Sequence, residues 1–392
     1  MAAENGSATA LVSGPVPRIT SLLIKPASAL CNLDCEYCFY LDRAGDPYQD
    51  RGSRTMSPAT LERLVAGYLA YSFPVSTFSF QGGEPTLAGL DFFRRLVQLQ
   101  QHYGRPGQTV GNSIQTNGVL LDSGWCELFR RYHFLVGLSI DGPEDVHDRY
   151  RVDRQHQGSW ARSMRGLRRL QQHGVDVNVL CVVSEANVRR AAEVFRFFRS
   201  LGVEHLQFIP LAEFAPDGSP LPFSIQPDDY GAFLAELFDA WWPERSRVRV
   251  RFFDNVAEAI AGIKPGCCTM HDSCDSYAVV EYNGDVYPCD FFVQSSWKLG
   301  NIESDSWPEI ARRQRRATFA GKKRVAHAEC AVCDYRHICH QGCPKLRHAA
   351  RQRFDDLDWF CGAYKRIFAH AVPPLAEEIR MMTARRTAPE TR

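Results

Sequence analysis

The residues best suited to chemistry in this chain are cysteines. The stretch CNLDCEYCFY carries three of them, Cys31, Cys35 and Cys38. A structural zinc site closes with four ligands, often as paired C-x2-C. A [4Fe–4S] cluster has four irons, each taking one outer ligand, so three thiolates leave one iron open. Three cysteines in one loop can wrap a single cubane, and an open iron suits binding and reducing a small molecule better than storing an electron. A second group comprises Cys268, Cys274, Cys289, Cys330, Cys333, Cys339, Cys343 and Cys361. These eight are enough for two closed sites of four thiolates, and spacing alone also permits two zinc sites. Cys267 adjoins Cys268, and either could be the ligand. Cys126 and Cys181 stand apart, in a helix and a strand, and read as packing residues. Disulfides fit small secreted domains, whereas this chain has 392 residues and an N-terminal stretch without a basic start or apolar core.

The elements that position these residues alternate from about residue 19. SLLIKPA (21–27) reads as a short buried strand, and SPATLERLVAGYLAY (57–71) as a helix capped by Ser57 with Pro58 at its first position. STFSFQ, GNSIQTN, FLVGLSID, DVNVLCVV and HLQFIPL read as further strands, with amphipathic helices between them. Such alternation implies a parallel sheet with right-handed crossovers, either doubly wound or a whole or partial barrel. Functional loops in such sheets follow the C-terminal ends of strands. The cysteine triplet follows the first strand, QGGEP (81–85) the second, QTNG (115–118) ends the third and SIDGP (139–143) the fourth. Beyond about residue 235 the alternation fades. DYGAFLAELFDAWW reads as helix, RVRVRFFD (247–254) as a strand, and AVVEYNGDVYPCDFF as a β-hairpin around Asn283-Gly284. The polar end, with MMTARRTAPETR, reads as frayed.

Composition limits the partners. The chain is 45% apolar and 23% charged with a formal net charge of +1, which gives no electrostatic case for nucleic acid or an anionic membrane. No apolar run approaches a membrane span, and the expected location is cytoplasmic.

C-x3-C-x2-C with Tyr37 before the last cysteine resembles the radical SAM superfamily, and Gly82-Gly83-Glu84-Pro85 matches that family's GGEP motif. The resemblance implies that the open iron chelates the amino and carboxylate groups of S-adenosylmethionine, and that reduction yields a 5′-deoxyadenosyl radical. It implies cofactor contacts from Gly82, Gly83, Glu84, Tyr37, Gln115, Thr116, Asn117 and Ser139. The later cysteines, with Gly284 five residues before Cys289, resemble the SPASM extension. The family pairing assigns Cys268, Cys274, Cys289 and Cys343 to one auxiliary [4Fe–4S] cluster, and Cys330, Cys333, Cys339 and Cys361 to a second. With the first cluster this makes three.

LLIKPAS, CNLDCEYCFY, QGGEPTLAGL, QTNG, FLVGLSIDGP, LCVVSEAN, LQFIP, YPCDFF and LGNI recur in order, and together they resemble the anaerobic sulfatase-maturating enzymes from about residue 20 to 370. The implied fold is α/β, a partial (β/α)6 TIM-like barrel of the radical SAM type followed by a cysteine-rich SPASM domain with a β-hairpin and helices. The implied divisions are a disordered tail over 1–18, the barrel over 19–235, a linker and helix over 236–262, the SPASM domain over 263–372 and a disordered tail over 373–392. The implied activity is oxidation of a cysteine or serine to Cα-formylglycine, in a C/S-x-P-x-R motif of an unfolded sulfatase polypeptide. An electron donor such as flavodoxin or ferredoxin is the second expected partner. The reaction needs a base and an exit for an electron. The resemblance puts the base at Asp290, directly after Cys289, where burial beside an anionic cluster is expected to raise its pKa. Gln81 and Tyr40 lie beside the motifs and are candidates to orient the peptide; Asp141 and His147 are polar rim residues without a role. The alternatives are a SPASM enzyme that crosslinks or otherwise modifies a biosynthetic peptide or small molecule, and a zinc-stabilised binding module.

Overall fold

A computed structural model describes residues 18–40, 47–48, 54–316, 318–325, 327–351 and 353–387. Most of the expected N-terminal tail, residues 1–17, lies outside them. The strands are β1 (Ser21–Lys25), β2 (Val75–Phe80), β3 (Thr109–Thr116), β4 (Leu135–Ser139), β5 (Val177–Val183), β6 (His205–Pro210), β7 (Arg249–Val250), β8 (Tyr277–Glu281), β9 (Asp285–Tyr287) and β10 (Gly300–Asn301). They form one sheet in the order β10-β9-β8-β1-β2-β3-β4-β5-β6-β7. Strands β1 to β7 pair in parallel with their neighbours, which makes β1 to β6 and the helices between them the partial (β/α)6 barrel.

Local chemistry explains the elements. In β1, Leu22 to Lys25 are all buried, as in a parallel strand covered on both faces. Ser57 caps the helix Pro58–Tyr71 by accepting from the Thr60 amide at 3.1 Å, and Asp122 caps Ser123–Arg131 through the Trp125 amide at 3.1 Å. Phe80 of β2 meets Phe93 of the helix Leu90–Tyr103 with ring centroids 5.0 Å apart, inside the main core.

The C-terminal extension is joined to the barrel through its backbone. Strand β8 pairs in parallel with β1, so that Lys25 and Glu281 become Cα partners, and β9 and β10 add antiparallel to the same sheet. The turn between β8 and β9 places Gly284 at φ 83°, the left-handed region that glycine tolerates.

Two expectations are corrected. Within 247–254 only Arg249 and Val250 are strand, and Arg251–Ile260 is helix, because Phe253 and Val256 lie on one face and bury in the core. The expected tail from 373 is helical to Thr387, within a single helix Cys361–Thr387 that contains Pro373 and Pro374. Ile367, Phe368, Ala371 and Leu375 join the core and hold it, each large apolar side chain worth about 1.5–3 kcal/mol of burial. Residues 388–392 lie outside the described ones. Among the described residues no helix is long and apolar enough to cross a membrane.

Candidate active site

The loop carrying Cys31, Cys35 and Cys38 leaves the C-terminal end of β1 and is pinned from both sides. On one side the Asp34 amide donates to Val152 O at 2.8 Å and the Glu36 amide to Tyr150 O at 3.0 Å. On the other lies the QGGEP turn, where the Gly83 amide donates to Ser28 O at 2.9 Å and the Glu84 amide to Leu30 O at 2.8 Å. This approach needs bare glycine: a Cβ on Gly82 would lie 2.4 Å from Ser28 O, and one on Gly83 2.3 Å from Leu30 O.

Burial, then the charge of Glu84, pushes the Cys31 thiol up to about 12; burial does the same for Cys35. Cys38 raises both, so the three thiols are electrostatic neighbours. Iron supplies the positive charge that lets neighbouring thiols ionise together, and this donor set fits a cluster with one open position.

Most expected cofactor residues are tied into this scaffold. The carboxylate of Glu84 accepts from the Thr86 amide (3.0 Å) and hydroxyl (2.6 Å), the Thr116 hydroxyl (2.8 Å) and the Asn117 amide (2.9 Å). Glu84 is therefore an anchor between the β2 and β3 loops. The Asn117 amide group donates to Asn32 Oδ1 at 2.7 Å, beside Cys31. Gln115 donates to Ser139 Oγ at 2.8 Å, and Gly137 gives it room, since a Cβ there would lie 2.1 Å from Gln115 Oε1. Tyr37 is buried and its phenol donates to Asp141. Asp141 also accepts from Arg151 Nε (2.8 Å) and the Val182 amide (2.9 Å), and thereby clamps the cysteine loop to the ends of β4 and β5. His147 is fully buried; its Nδ1 accepts from the Asp141 amide, and burial holds it down to about 3, so it is neutral. Cys126 and Cys181 are fully buried.

Asp290 sits at the junction of barrel and extension and is 6% exposed. The Tyr40 hydroxyl donates to it, and Lys25 Nζ lies 2.6 Å from its Oδ1. Lys25 also pairs with Glu281 at 3.0 Å and stands 4.7 Å from the centre of the Tyr40 ring. Both Lys25 and Glu281 are 1% exposed. Sequence reasoning missed these two. The available signal was a lysine ending an otherwise apolar buried strand. Burial raises the Glu281 carboxyl and Lys25 opposes that rise. Asp290 thus meets an ammonium and a phenol, directly after Cys289 in the chain. Gln81 follows β2 directly, its amide donating to Ile24 O at 3.0 Å, and its half-buried side chain makes no hydrogen bond to the described residues. Phe39 stacks on Tyr40 and packs on Phe291, giving an apolar wall beside the carboxylate.

The later cysteines gather in two places. Cys343 and Cys274 raise the Cys289 thiol after burial, and Cys343 and Cys289 raise that of Cys268. The hydrogen bond between Cys267 and Cys268 lowers the thiol of the former and raises that of the latter. Cys268 faces the other cysteines, while Cys267 Sγ meets Thr269 Oγ1 at 3.1 Å. Cys330, Cys333, Cys339 and Cys361 line a common cavity. Among the described residues no three His, Cys, Asp or Glu side chains converge closely enough to hold a single metal ion.

Comparison with known proteins agrees with this geometry. Residues 26–198 match the radical SAM superfamily, and residues 268–334 match the SPASM iron–sulfur cluster-binding domain. Fold and site thus define a radical SAM oxidoreductase with an iron–sulfur-binding extension. The serine-type anaerobic sulfatase-maturating enzyme of Bacteroides thetaiotaomicron is 34% identical over 378 residues, covering 92% of this chain and 91% of that protein. The cysteine-type enzyme of Clostridium perfringens is 36% identical over 362 residues, covering 91% and 97%. The solved structure of native anSMEcpe with bound AdoMet and Kp18Cys peptide superimposes with a TM-score of 0.84 at 36% identity, covering 91% of this chain and 98% of that one. The chain belongs to the anaerobic sulfatase-maturating enzymes.

Proposed function

We propose that this enzyme converts a cysteine or serine in a C/S-x-P-x-R motif of an unfolded sulfatase polypeptide to Cα-formylglycine, using S-adenosylmethionine and three [4Fe–4S] clusters. The observation that carries this reading is Asp290, a buried carboxylate directly after Cys289, held by Tyr40 and Lys25 where the extension meets the barrel rim. Cys31, Cys35 and Cys38 would hold the first cluster. Cys268, Cys274, Cys289 and Cys343 would hold one auxiliary cluster, and Cys330, Cys333, Cys339 and Cys361 the other. When bound, these groups and S-adenosylmethionine supply the 5′-deoxyadenosyl radical that takes a hydrogen atom from the substrate Cβ, and an acceptor for the one electron the substrate then gives up.

The chain's own residues do the rest. Asp290, held by Tyr40 and Lys25, accepts the proton of the substrate thiol or hydroxyl. Gln81, with its side chain uncommitted, and Tyr40 border the same space and orient the peptide. The glycines of QGGEP, Gln115 and Ser139 border the cofactor, while Glu84, Thr116, Asn117 and Tyr37 hold the loops around it. Loss of the hydrogen atom, proton and electron leaves an aldehyde from serine, or a thioaldehyde from cysteine that water hydrolyses with release of hydrogen sulfide. Flavodoxin or ferredoxin is the class of donor that fits the required one-electron reduction. A cytoplasmic location fits fourteen cysteines that are all free thiols.

The test is an anaerobic assay of the reconstituted enzyme with reductant, S-adenosylmethionine and short peptides containing C-x-P-x-R or S-x-P-x-R. The expected products are 5′-deoxyadenosine and a peptide lighter by about 18 mass units for cysteine, or about 2 for serine. 5′-Deoxyadenosine with neither peptide changed would move the substrate to another peptide or a small molecule.

A further inference from the structure

Lys323 is 0% exposed, and its ammonium has only backbone partners, donating to Cys268 O at 3.1 Å and Thr269 O at 2.9 Å. Both carbonyls belong to the short turn Cys268–Met270. Among the described residues no carboxylate pairs with Lys323, while the adjacent Arg324 takes Asp275 at 2.9 Å. A buried ammonium costs several kcal/mol of lost hydration, and two neutral carbonyls offset only part of it. Buried charges are ordinarily paired. The chain also fixes this lysine in place, because Arg347, itself 3% exposed, donates to Lys323 O at 3.3 Å, Lys322 O at 3.3 Å and Val325 O at 3.2 Å. The turn that the ammonium holds carries Cys268 itself, and the buried carboxylate of Asp358 also feels its charge. A [4Fe–4S] cluster with four thiolates carries net negative charge, which a fixed neighbouring cation compensates.

We infer that Lys323 is the buried counter-charge of the auxiliary cluster assigned to Cys268, Cys274, Cys289 and Cys343, and that it sets that cluster's reduction potential. It is a positioning residue for the electron's exit and rests on the cluster assignment made above. A cation beside the site favours its more negative, reduced state, so removing the charge makes the cluster harder to reduce.

The experiment uses the full chain, reconstituted anaerobically, with iron content measured and the cluster signals followed by electron paramagnetic resonance during a redox titration. Lys323→Met removes both charge and donors. Lys323→Gln removes the charge but keeps a donor for the Cys268–Met270 turn, so the turn stays held. Lys323→Arg keeps the charge. With iron retained, the expected result is an about tenfold lower ratio of reduced to oxidised cluster at a fixed potential in Lys323→Gln, equal to about 59 mV for a one-electron couple, and little change in Lys323→Arg. Cys268→Ala identifies which signal belongs to this cluster. Unchanged iron in Cys268→Ala combined with Cys274→Ala would overturn the cluster assignment itself. An intact cluster with an unmoved potential in Lys323→Gln would overturn the role of Lys323 alone.

Discussion

Lys25 and Lys323 are both buried ammonium groups, and their surroundings differ in kind. Lys25 lies between two carboxylates, Asp290 at 2.6 Å and Glu281 at 3.0 Å. Lys323 meets only carbonyls, and stands among cysteines. The same contrast runs through the two regions that hold them. At the barrel rim the polar side chains satisfy one another: Glu84 takes four donors from three residues, and Asp141 takes Tyr37, Arg151 and Val182. The rim is an arrangement finished in protein atoms, ready to receive a cofactor. In the extension Arg324 takes Asp275, while Lys323 and Arg347 are held by backbone carbonyls. Rigidity at the rim is built into the chain, whereas the proposed auxiliary clusters would couple that of the extension to iron.

The largest effect separates the two regions at their roots. Changing Cys31, Cys35 and Cys38 together to Ala should abolish 5′-deoxyadenosine formation and lower bound iron from about twelve to about eight per chain, as three and two cubanes require. Persistent S-adenosylmethionine cleavage in that variant would contradict the account. Next, Asp290→Asn should cut product formation by about a hundredfold to ten-thousandfold, the usual worth of a general base, while some 5′-deoxyadenosine still forms. Normal turnover would remove Asp290 from the chemistry. Lys25→Met leaves two buried carboxylates without their cation and should cost about 3–5 kcal/mol in denaturant unfolding, with a higher ratio of 5′-deoxyadenosine to product. An unchanged ratio would make Lys25 purely structural.

Iron removal sharpens the comparison itself. After anaerobic chelation, amide hydrogen exchange should rise on the order of tenfold around residues 268–274 and 330–343, with little change at the ends of β4 and β5. Equal loosening of both regions would dissolve the distinction. The smallest effect concerns the rim. Gly137→Ala meets the movable end of Gln115 at 2.1 Å and Leu180 Cδ1 at 3.1 Å, and should break the Gln115–Ser139 bond and raise the KM for S-adenosylmethionine by about threefold, the scale of one neutral hydrogen bond.

Much of the rim was legible in the sequence because its signals are local. C-x3-C-x2-C needs only one loop, and QGGEP follows its strand directly. Ser57-Pro58 marks a helix start, and Asn283-Gly284 marks a hairpin. The partner of Asp290 was not legible, because Lys25 and Glu281 meet only through the pairing of β1 with β8, which no local pattern encodes. Glu84 and Tyr37 stood out as contacts, and the structure shows their polar groups occupied by the chain. Lys323 lies in the run GKKR, where no local pattern marks it, and only tertiary packing buries it. The polar end of the chain reads as frayed and gives no sign that the final helix runs through Pro373-Pro374, which buried Ile367, Phe368, Ala371 and Leu375 hold in place.

The central claim is that this site takes a hydrogen atom from the Cβ of a peptide residue that Asp290 deprotonates. The direct measurement is turnover of a C-x-P-x-R peptide deuterated at the cysteine Cβ, with the 5′-deoxyadenosine analysed by mass spectrometry. The account requires one deuterium in the 5′-deoxyadenosine together with a formylglycine peptide. Unlabelled 5′-deoxyadenosine alongside that product would contradict it.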